Sequence, residues 1–252
     1  IMDQAIKRVA PLDFIWQTRD PFLFCAYHYD LFPKGNGKLG PDASLAGRNI
    51  GQDFDIKDGW RMYHGQRIPG FPAHPHRGFE TVTLVTKGTV DHADSLKAAG
   101  RYGDGDTQWM TAGSGVQHSE MFPMIHDDKP NHMELFQIWL NLPSKDKMCT
   151  PAYQDLQSEK IPEFFPQDGV KVRVISGQSQ GVAGAVQRPV EAFPTNVLYL
   201  DIHFDNEGVF QQTLPKQHNA FLFVYRGEVN VISKAQETPV TLHRMAILHN
   251  EG

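Results

Sequence analysis

Two short motifs place metal-type side chains two residues apart at separate points of the chain. The first is His74-Pro75-His76 and the second, further along, is His118-Ser119-Glu120. On a β-strand, residues i and i+2 point to the same face, because successive side chains alternate. Two such strands facing each other across a β-barrel would bring three imidazoles and one carboxylate to one point.

This set of ligands predicts a transition-metal site. Imidazole nitrogens and carboxylate oxygens suit iron, copper, nickel, manganese and zinc, so the residues alone do not select the metal. The chain has 12 histidines, and a single His-x-His pair could therefore be an ordinary surface pair. Two such pairs bracketed by glycines favour the metal site, and we expect one divalent ion per chain, bound in the N-terminal half.

Two carboxylates compete to be the fourth ligand. Glu80 lies four residues after His76 and has the parity of an inward-facing residue, whereas Glu120 forms an i,i+2 pair with His118. Both ligand sets remain open, although the repeated spacing favours Glu120. Glu80 would then be a neighbouring group, or the ion-pair partner of an arginine such as Arg77.

Other residues could reach a site beside these motifs. A lone histidine is more often structural than a ligand, so His64 and His92 are secondary candidates. Phe71, three residues before His74, could line the mouth of the site. The large apolar residues of the predicted strands are expected in the core rather than in a pocket: Trp109, Met110, Phe136 and Trp139.

Composition and charge exclude several classes of protein. Of the 252 residues, 40% are hydrophobic and 21% are charged, so the chain can bury a sizeable core. The net charge of −5 argues against direct nucleic-acid binding, because that requires a basic patch. Two cysteines, and no apolar run long enough for a membrane span, predict a cytoplasmic protein without membrane contact.

Short β-type segments separated by turns follow one another from residue 71. Phe79–Val85 and Glu134–Asn141 are rich in β-branched and aromatic residues, as buried strands are. Turn residues recur about every ten positions, which is typical of a sandwich or barrel. Residues 34–70 lack this periodicity and are predicted to be a long loop or insertion. The predicted fold class is all-β.

A weak internal repeat predicts two domains in tandem. LVTKGTV at 84–90 resembles FVYRGEV at 223–229, and such a repeat suggests a duplicated domain. We place an N-terminal domain with the metal site at 1–142, a linker with a short helical turn at 143–168, and a C-terminal domain at 169–252. The C-terminal domain is expected to lack a metal site and to be incomplete, because the chain ends before a counterpart of the second motif.

Four segments carry a family resemblance: FPAHPHRGFET at 71–81, DTQWMTAGSGVQHSE at 106–120, DPFL at 20–23 and LFQIWLNLP at 135–143. In order and approximate spacing they resemble the pirin family, a branch of the cupin superfamily. The resemblance covers most of residues 10–250 and is densest between 71 and 143. It implies a bicupin, with two antiparallel barrels of jelly-roll type.

The resemblance also implies a site and an activity. It implies that His74, His76, His118 and Glu120 bind one metal ion, which is iron(II) in the best-known members. Many cupins take the carboxylate from the first motif, where Glu80 lies, but the pirin pattern favours Glu120. Quercetin 2,3-dioxygenase activity is implied, with a flavonol-like substrate and O2. In such a reaction we expect Glu120 to be the catalytic base, because it would be both a ligand and near the substrate proton. The alternative is a non-enzymatic, metal- or redox-dependent regulator that binds a transcription-related protein partner.

Overall fold

The computed structural model describes residues 5–11, 13–16, 18–186, 196–233 and 236–250, and it confirms the all-β prediction. Within these ranges, the strands up to residue 142 are as follows: β1 (Ile6–Pro11), β2 (Ile15–Trp16), β3 (Phe22–Asp30), β4 (Gly70–His76), β5 (Phe79–Lys87), β6 (Thr89–Asp94), β7 (Ala99–Gly103), β8 (Thr107–Thr111), β9 (Val116–Met121) and β10 (Met133–Asn141).

Further strands and two short 3-10 helices follow. The helices span Ser144–Asp146 and Ser158–Lys160. The strands are β11 (Ala152–Leu156), β12 (Glu163–Gln167), β13 (Val170–Ser176), β14 (Gln178–Ser179), β15 (Val182–Ala183), β16 (Tyr199–Phe204), β17 (Phe221–Val224), β18 (Val229–Ile232), β19 (Glu237–Val240) and β20 (Arg244–Leu248). Across the described ranges, no helix is long and apolar enough to cross a membrane.

Two antiparallel sheets build the N-terminal barrel. One has six strands in the order β11-β8-β5-β10-β3-β2, and the other has four in the order β4-β9-β6-β7. An aromatic-rich core fills the space between them. It includes Tyr102 from the four-stranded sheet, Leu135 from the six-stranded sheet, and Tyr63 from the segment that precedes β4.

The six-stranded sheet is buried on both faces. On its second face, Leu84, Trp109 and Phe136 pack against Phe223 and Met245 from the C-terminal part of the chain. This explains why β5 and β10 are buried along almost their whole length, since neither face of these strands is open to solvent.

Strand pairings connect the two ends of the chain. β1 pairs with β20 in an antiparallel three-stranded sheet that also contains β17. β11 pairs with β8 and so extends the six-stranded sheet of the N-terminal barrel. The division into domains at 1–142 and 169–252 stays a prediction. It places paired strands in different parts of the chain, since β1 pairs with β20 and β11 of the predicted linker pairs with β8.

The internal repeat corresponds to two strand–turn–strand segments. LVTKGTV covers the turn between β5 and β6, where Gly88 has φ of 90°, and FVYRGEV covers the turn between β17 and β18, where Gly227 has φ of 61°. A positive φ explains the glycine at both positions, because other residues rarely adopt it. The short helical turn predicted within 143–168 is also present.

Residues 34–69 form a long loop between β3 and β4, as predicted for 34–70. The loop contributes to the barrel core, because Trp60, Met62 and Tyr63 are buried there. These apolar residues are too irregularly spaced to give a strand pattern, and the segment packs through isolated bridges instead. The sequence gives no clear strand signal for β7, because its residues are largely exposed and are mostly small or charged.

Candidate metal centre

The two histidine motifs lie on hydrogen-bonded neighbours in the four-stranded sheet. His74 on β4 is directly opposite His118 on β9, and Phe71 is opposite Glu120. The prediction that the two strands face each other across the barrel was therefore wrong. Spacing within a motif determines which face a side chain takes, but it does not determine which strands pair. Adjacent pairing still brings both motifs to one face.

A β-bulge in β4 aligns the residues of this face. Two residues, Pro72 and Ala73, lie between Phe71 and His74, whereas the facing stretch of β9 has one residue, and the register shifts there. The extra residue cancels the normal alternation, so Phe71 and His74 take the same face although they are three positions apart. Bulges often re-aim side chains beside functional sites in this way.

Three imidazole nitrogens converge on one position. Nε2 of His74 lies 3.1 Å from Nε2 of His76 and 3.1 Å from Nε2 of His118. On its other side, Nδ1 of His74 lies 2.8 Å from the carbonyl oxygen of Pro72, within the bulge. A carbonyl oxygen can only accept, so Nδ1 of neutral His74 carries the proton and its Nε2 presents a lone pair to the other two rings.

This arrangement fits a bound cation. Within the described ranges, His74, His76 and His118 form the group whose ligand atoms all lie within 4.8 Å of one another. Two nitrogens that bind one ion at about 2.1 Å, roughly at right angles, lie about 3 Å apart, and the observed spacing agrees. The site can therefore hold a divalent transition metal through three imidazoles.

Glu120 lies at the edge of this cluster and is held by two neighbours. One carboxylate oxygen, Oε2, is 3.9 Å from Nε2 of His118 and accepts a hydrogen bond from the amide of Gln137 at 2.9 Å. The other oxygen accepts from the hydroxyl of Tyr102 at 3.3 Å. Glu120 is 4% exposed and lies outside the group of three histidines. Its role as fourth ligand stays a prediction.

Glu80, the rival carboxylate, points away from the histidines. It lies on β5 in the other sheet, and it accepts hydrogen bonds from the indole of Trp109 at 3.1 Å and the hydroxyl of Thr111 at 2.8 Å. Trp109 belongs to the core on the second face of that sheet. The parity argument for Glu80 was wrong, because Gly78, at φ of 79°, separates it from His76 and the chain changes sheets there.

Burial and the neighbouring rings lower the pKa values of His76 and His118, two of the candidate ligands. The pKa of His76 is lowered to about 3, first by burial and then by the neighbouring rings of His118 and His74. The pKa of His118 is also lowered to about 3, by burial and by the rings of His74 and His92. Neutral imidazole is the form that binds a metal ion.

The two secondary histidines occupy different places. Nδ1 of His92 lies 3.4 Å from Nδ1 of His118, so His92 contacts a predicted ligand from behind. His64 does not join the cluster in the described residues; its Nδ1 lies 2.8 Å from the carbonyl oxygen of Gly51, and its ring packs on Phe71. The side chain of Arg77 approaches Met148 rather than Glu80.

A row of aromatic rings extends from the cluster towards the barrel surface. Trp139 and Phe79 both pack edge-on against His76, with ring centroids 5.1 Å away, and Phe24 continues the row beyond Trp139. Trp139 was predicted to lie in the core, but it is half-buried and borders the site. Phe71, predicted at the mouth, is also half-buried and lies 6.3 Å from the ring of His74.

The supporting residues Gln137 and Tyr102 were not predicted. Gln137 shares a face of β10 with Trp139, and its position two residues before Trp139 was a usable signal once that face is known to be the inner one. Tyr102 lies on β7, which had no clear strand signal. Trp109, Met110 and Phe136 are core residues, as predicted.

Comparisons with known proteins agree with the geometry. The pirin family model matches residues 44–140. A pirin-like protein of Solanum lycopersicum is 38% identical over 215 residues, which cover 84% of this chain and 70% of that protein. A Pseudomonas aeruginosa protein provisionally named quercetin 2,3-dioxygenase is 38% identical over 190 residues, covering 73% of this chain and 63% of that protein.

A solved structure has the same fold. The crystal structure of a Geobacillus kaustophilus protein superposes with a TM-score of 0.67 at 26% identity, covering 98% of this chain and 86% of that one. The chain spans less than two thirds of the length of the P. aeruginosa relative. Because these matches extend over most of the chain and the paired histidine motifs lie on one face of a barrel, the chain belongs to the pirin family of cupin proteins.

Proposed function

We propose that the protein is a metal-dependent dioxygenase that cleaves a flavonol such as quercetin with O2. The observation that carries the proposal is the convergence of three imidazole Nε2 atoms beside a held carboxylate, at the inner end of a row of aromatic rings. The provisional name of the P. aeruginosa relative supports the same reaction class.

The ligand set would hold one divalent ion. His74, His76 and His118 would supply three nitrogens, and Glu120, whose Oε2 lies 3.9 Å from Nε2 of His118, would supply the fourth ligand. Iron(II) is the favoured metal, and copper, nickel, manganese and zinc suit the same donors. When bound, a redox-capable ion would stabilise the substrate's enolate anion and exchange electrons with O2.

Glu120 is positioned to act as the base. The bonds donated by Gln137 and Tyr102 use one lone pair on each carboxylate oxygen, so one remaining lone pair can bind the ion and the other can accept a proton. Glu120 takes the proton of the flavonol hydroxyl, and its two partners hold the carboxylate beside His118 while the proton moves.

The aromatic rings beside the cluster favour the binding of a flat aromatic substrate. Trp139 and Phe79 of the aromatic row are half-buried, as is Phe71 beside His74, so each presents part of a ring to an incoming molecule. Planar ring systems pack well on such faces, through offset or edge-on contacts. His74 is half-buried as well, which leaves an approach to the nitrogen cluster from the surface.

Reconstitution with one metal at a time tests the proposal. Metal-free protein would be loaded with iron(II), copper, nickel, manganese or zinc, and oxygen uptake would be recorded with quercetin. Turnover should require a redox-capable metal, because zinc does not change oxidation state. Equal turnover with zinc would mean that the ion only orients and acidifies the substrate. If no metal gives turnover while a protein partner binds in a metal-dependent way, the dioxygenase proposal is wrong and the protein is a metal-dependent regulator.

A further inference from the structure

The candidate ligand His118 contacts a second histidine on its far side. Its Nε2 points at the ligand cluster, whereas its Nδ1 lies 3.4 Å from Nδ1 of His92. The other nitrogen of His92, Nε2, lies 2.8 Å from Oδ2 of Asp94. The strands that carry these residues, β9 and β6, are paired. One continuous line of contacts therefore runs from the cluster to a carboxylate.

Neither His92 nor Asp94 is free to turn. Both side chains are fully buried. Oδ1 of Asp94 accepts hydrogen bonds from the backbone N–H groups of Leu96 at 2.8 Å and Ala98 at 3.0 Å. The ring of His92 is stacked on Tyr153, with centroids 4.3 Å apart and planes 17° apart. The carboxylate therefore has a fixed direction, and so does the ring that it contacts.

This direction determines where the protons lie. An ionised carboxylate can only accept, so Nε2 of His92 must carry a proton and donate it to Asp94. A neutral His92 then has a lone pair on Nδ1, which can accept only if Nδ1 of His118 carries a proton. Neutral His118 is left with a lone pair on Nε2, the atom that lies 3.1 Å from Nε2 of His74.

We propose that His92 and Asp94 are positioning residues of the metal centre, which set His118 in the tautomer that binds the ion through Nε2. The inference rests on the proposed metal centre and is independent of any dioxygenase activity. Ligand histidines commonly donate their second N–H to such a partner, and loss of the partner typically weakens metal binding 10- to 100-fold. Here a second imidazole is interposed between the ligand and the carboxylate.

Asp94→Asn separates this role from simple packing. The backbone N–H groups of Leu96 and Ala98 require an acceptor, so the amide oxygen of the new side chain stays with them and its NH2 group turns to His92. His92 must then accept at Nε2 and carry its proton on Nδ1. That proton opposes the Nδ1 proton of His118 and favours the tautomer in which Nε2 of His118 is protonated.

The first measurement is zinc affinity by calorimetry, with metal-free protein. Asp94→Asn should weaken zinc binding 10- to 100-fold, and His92→Phe, which keeps a ring against Tyr153, should weaken it by a similar factor. Asp91→Asn is the matched control on the same strand, because Asp91 is bonded to Arg101 at 2.6 Å. It should change affinity less than twofold. Wild-type affinity in both test variants would overturn the proposal.

The second measurement reads the tautomers directly by long-range 1H–15N NMR of the imidazoles. In the metal-free wild type, His92 should be protonated on Nε2 and His118 on Nδ1; in Asp94→Asn, His92 should be protonated on Nδ1. Unchanged tautomers in the variant would overturn the proposal. His118→Ala tests the proposed metal centre itself. If this variant binds zinc like the wild type, the metal centre is wrong. The tautomer of His92 tests only the role of Asp94.

Discussion

Nε2 of His74 and Nε2 of His118 lie 3.1 Å apart across two neighbouring strands, and the bond between Nδ1 of His74 and Pro72 directs the lone pair of His74 towards His118. Lone pairs at this distance repel each other unless a proton or a cation lies between them. A metal ion that binds there should therefore stabilise the folded protein by mass action, because the unfolded chain lacks the site.

The first prediction is that one equivalent of nickel or iron(II) raises the melting temperature of the metal-free protein. At a free-metal concentration 100 times Kd, the gain is about 2.7 kcal/mol, or roughly 5–10 °C for a chain of this size. His118→Ala should fold and show no such shift. His64→Ala, which changes a histidine bonded to Gly51, should retain the shift. Elemental analysis showing two tightly bound ions per chain would contradict the prediction.

The second prediction separates the two carboxylates. Glu120→Gln should lower oxygen consumption with quercetin at least 100-fold, the usual scale for loss of a positioned base. It should also weaken metal binding, with little change in the melting temperature of the metal-free protein. Glu80→Gln should leave metal occupancy intact, because Glu80 bonds to Trp109 and Thr111 on the far face of the other sheet. Loss of metal in the Glu80 variant but not in the Glu120 variant would reverse the assignment.

The two sequence motifs predicted the three histidines correctly as a cluster, and the reason is local. Parity along a strand depends only on the alternation of side chains, and both motifs lie inside regular β segments. Pairing is non-local: nothing in the spacing of His74 and His118 shows that their strands are neighbours. The bulge that brings Phe71 onto the same face depends on the register with β9, and register is set by the whole sheet.

The same physics explains where prediction failed. Glu80 has the parity of His76 in the sequence, but a change of sheet at Gly78 lies between them, so parity cannot be carried across. Trp139 looks like a core residue because β10 is buried on both faces and apolarity no longer distinguishes them. His92 and Tyr102 support the site from β6 and β7, and their contacts depend on how the four-stranded sheet closes.

The third prediction concerns the aromatic row. Trp139→Leu should raise KM for quercetin about tenfold, which corresponds to about 1.4 kcal/mol, because it removes a ring beside His76. Metal occupancy should be unchanged. Trp139→Phe keeps an aromatic ring and should stay within about threefold of the wild type. Equal KM values for all three proteins would mean that the substrate does not contact this row.

The fourth prediction is a loss of stability with acid that depends on a histidine outside the metal centre. His28 is fully buried, and its Nδ1 donates to the hydroxyl of Tyr63 at 2.9 Å, because that hydroxyl donates in turn to Asp30. The pKa of His28 is lowered from 6.5 to about 3, first by burial and then by the charge of Arg61.

The direction of this pH dependence follows from the linkage between proton binding and folding. Between pH 6.5 and 3 the unfolded chain binds a proton at His28 and the folded protein does not. The contribution of His28 to the free energy of unfolding is therefore fully present above pH 6.5 and is lost as the pH falls towards 3. The contribution of His28 changes by about 1.4 kcal/mol per pH unit inside this window. His28→Asn keeps a donor towards Tyr63 and removes the titration. Urea unfolding of metal-free protein at pH 6 and pH 4.5 should show a pH slope smaller by that amount in the variant. An equal slope would show that His28 binds its proton over the same pH range in the folded and the unfolded protein.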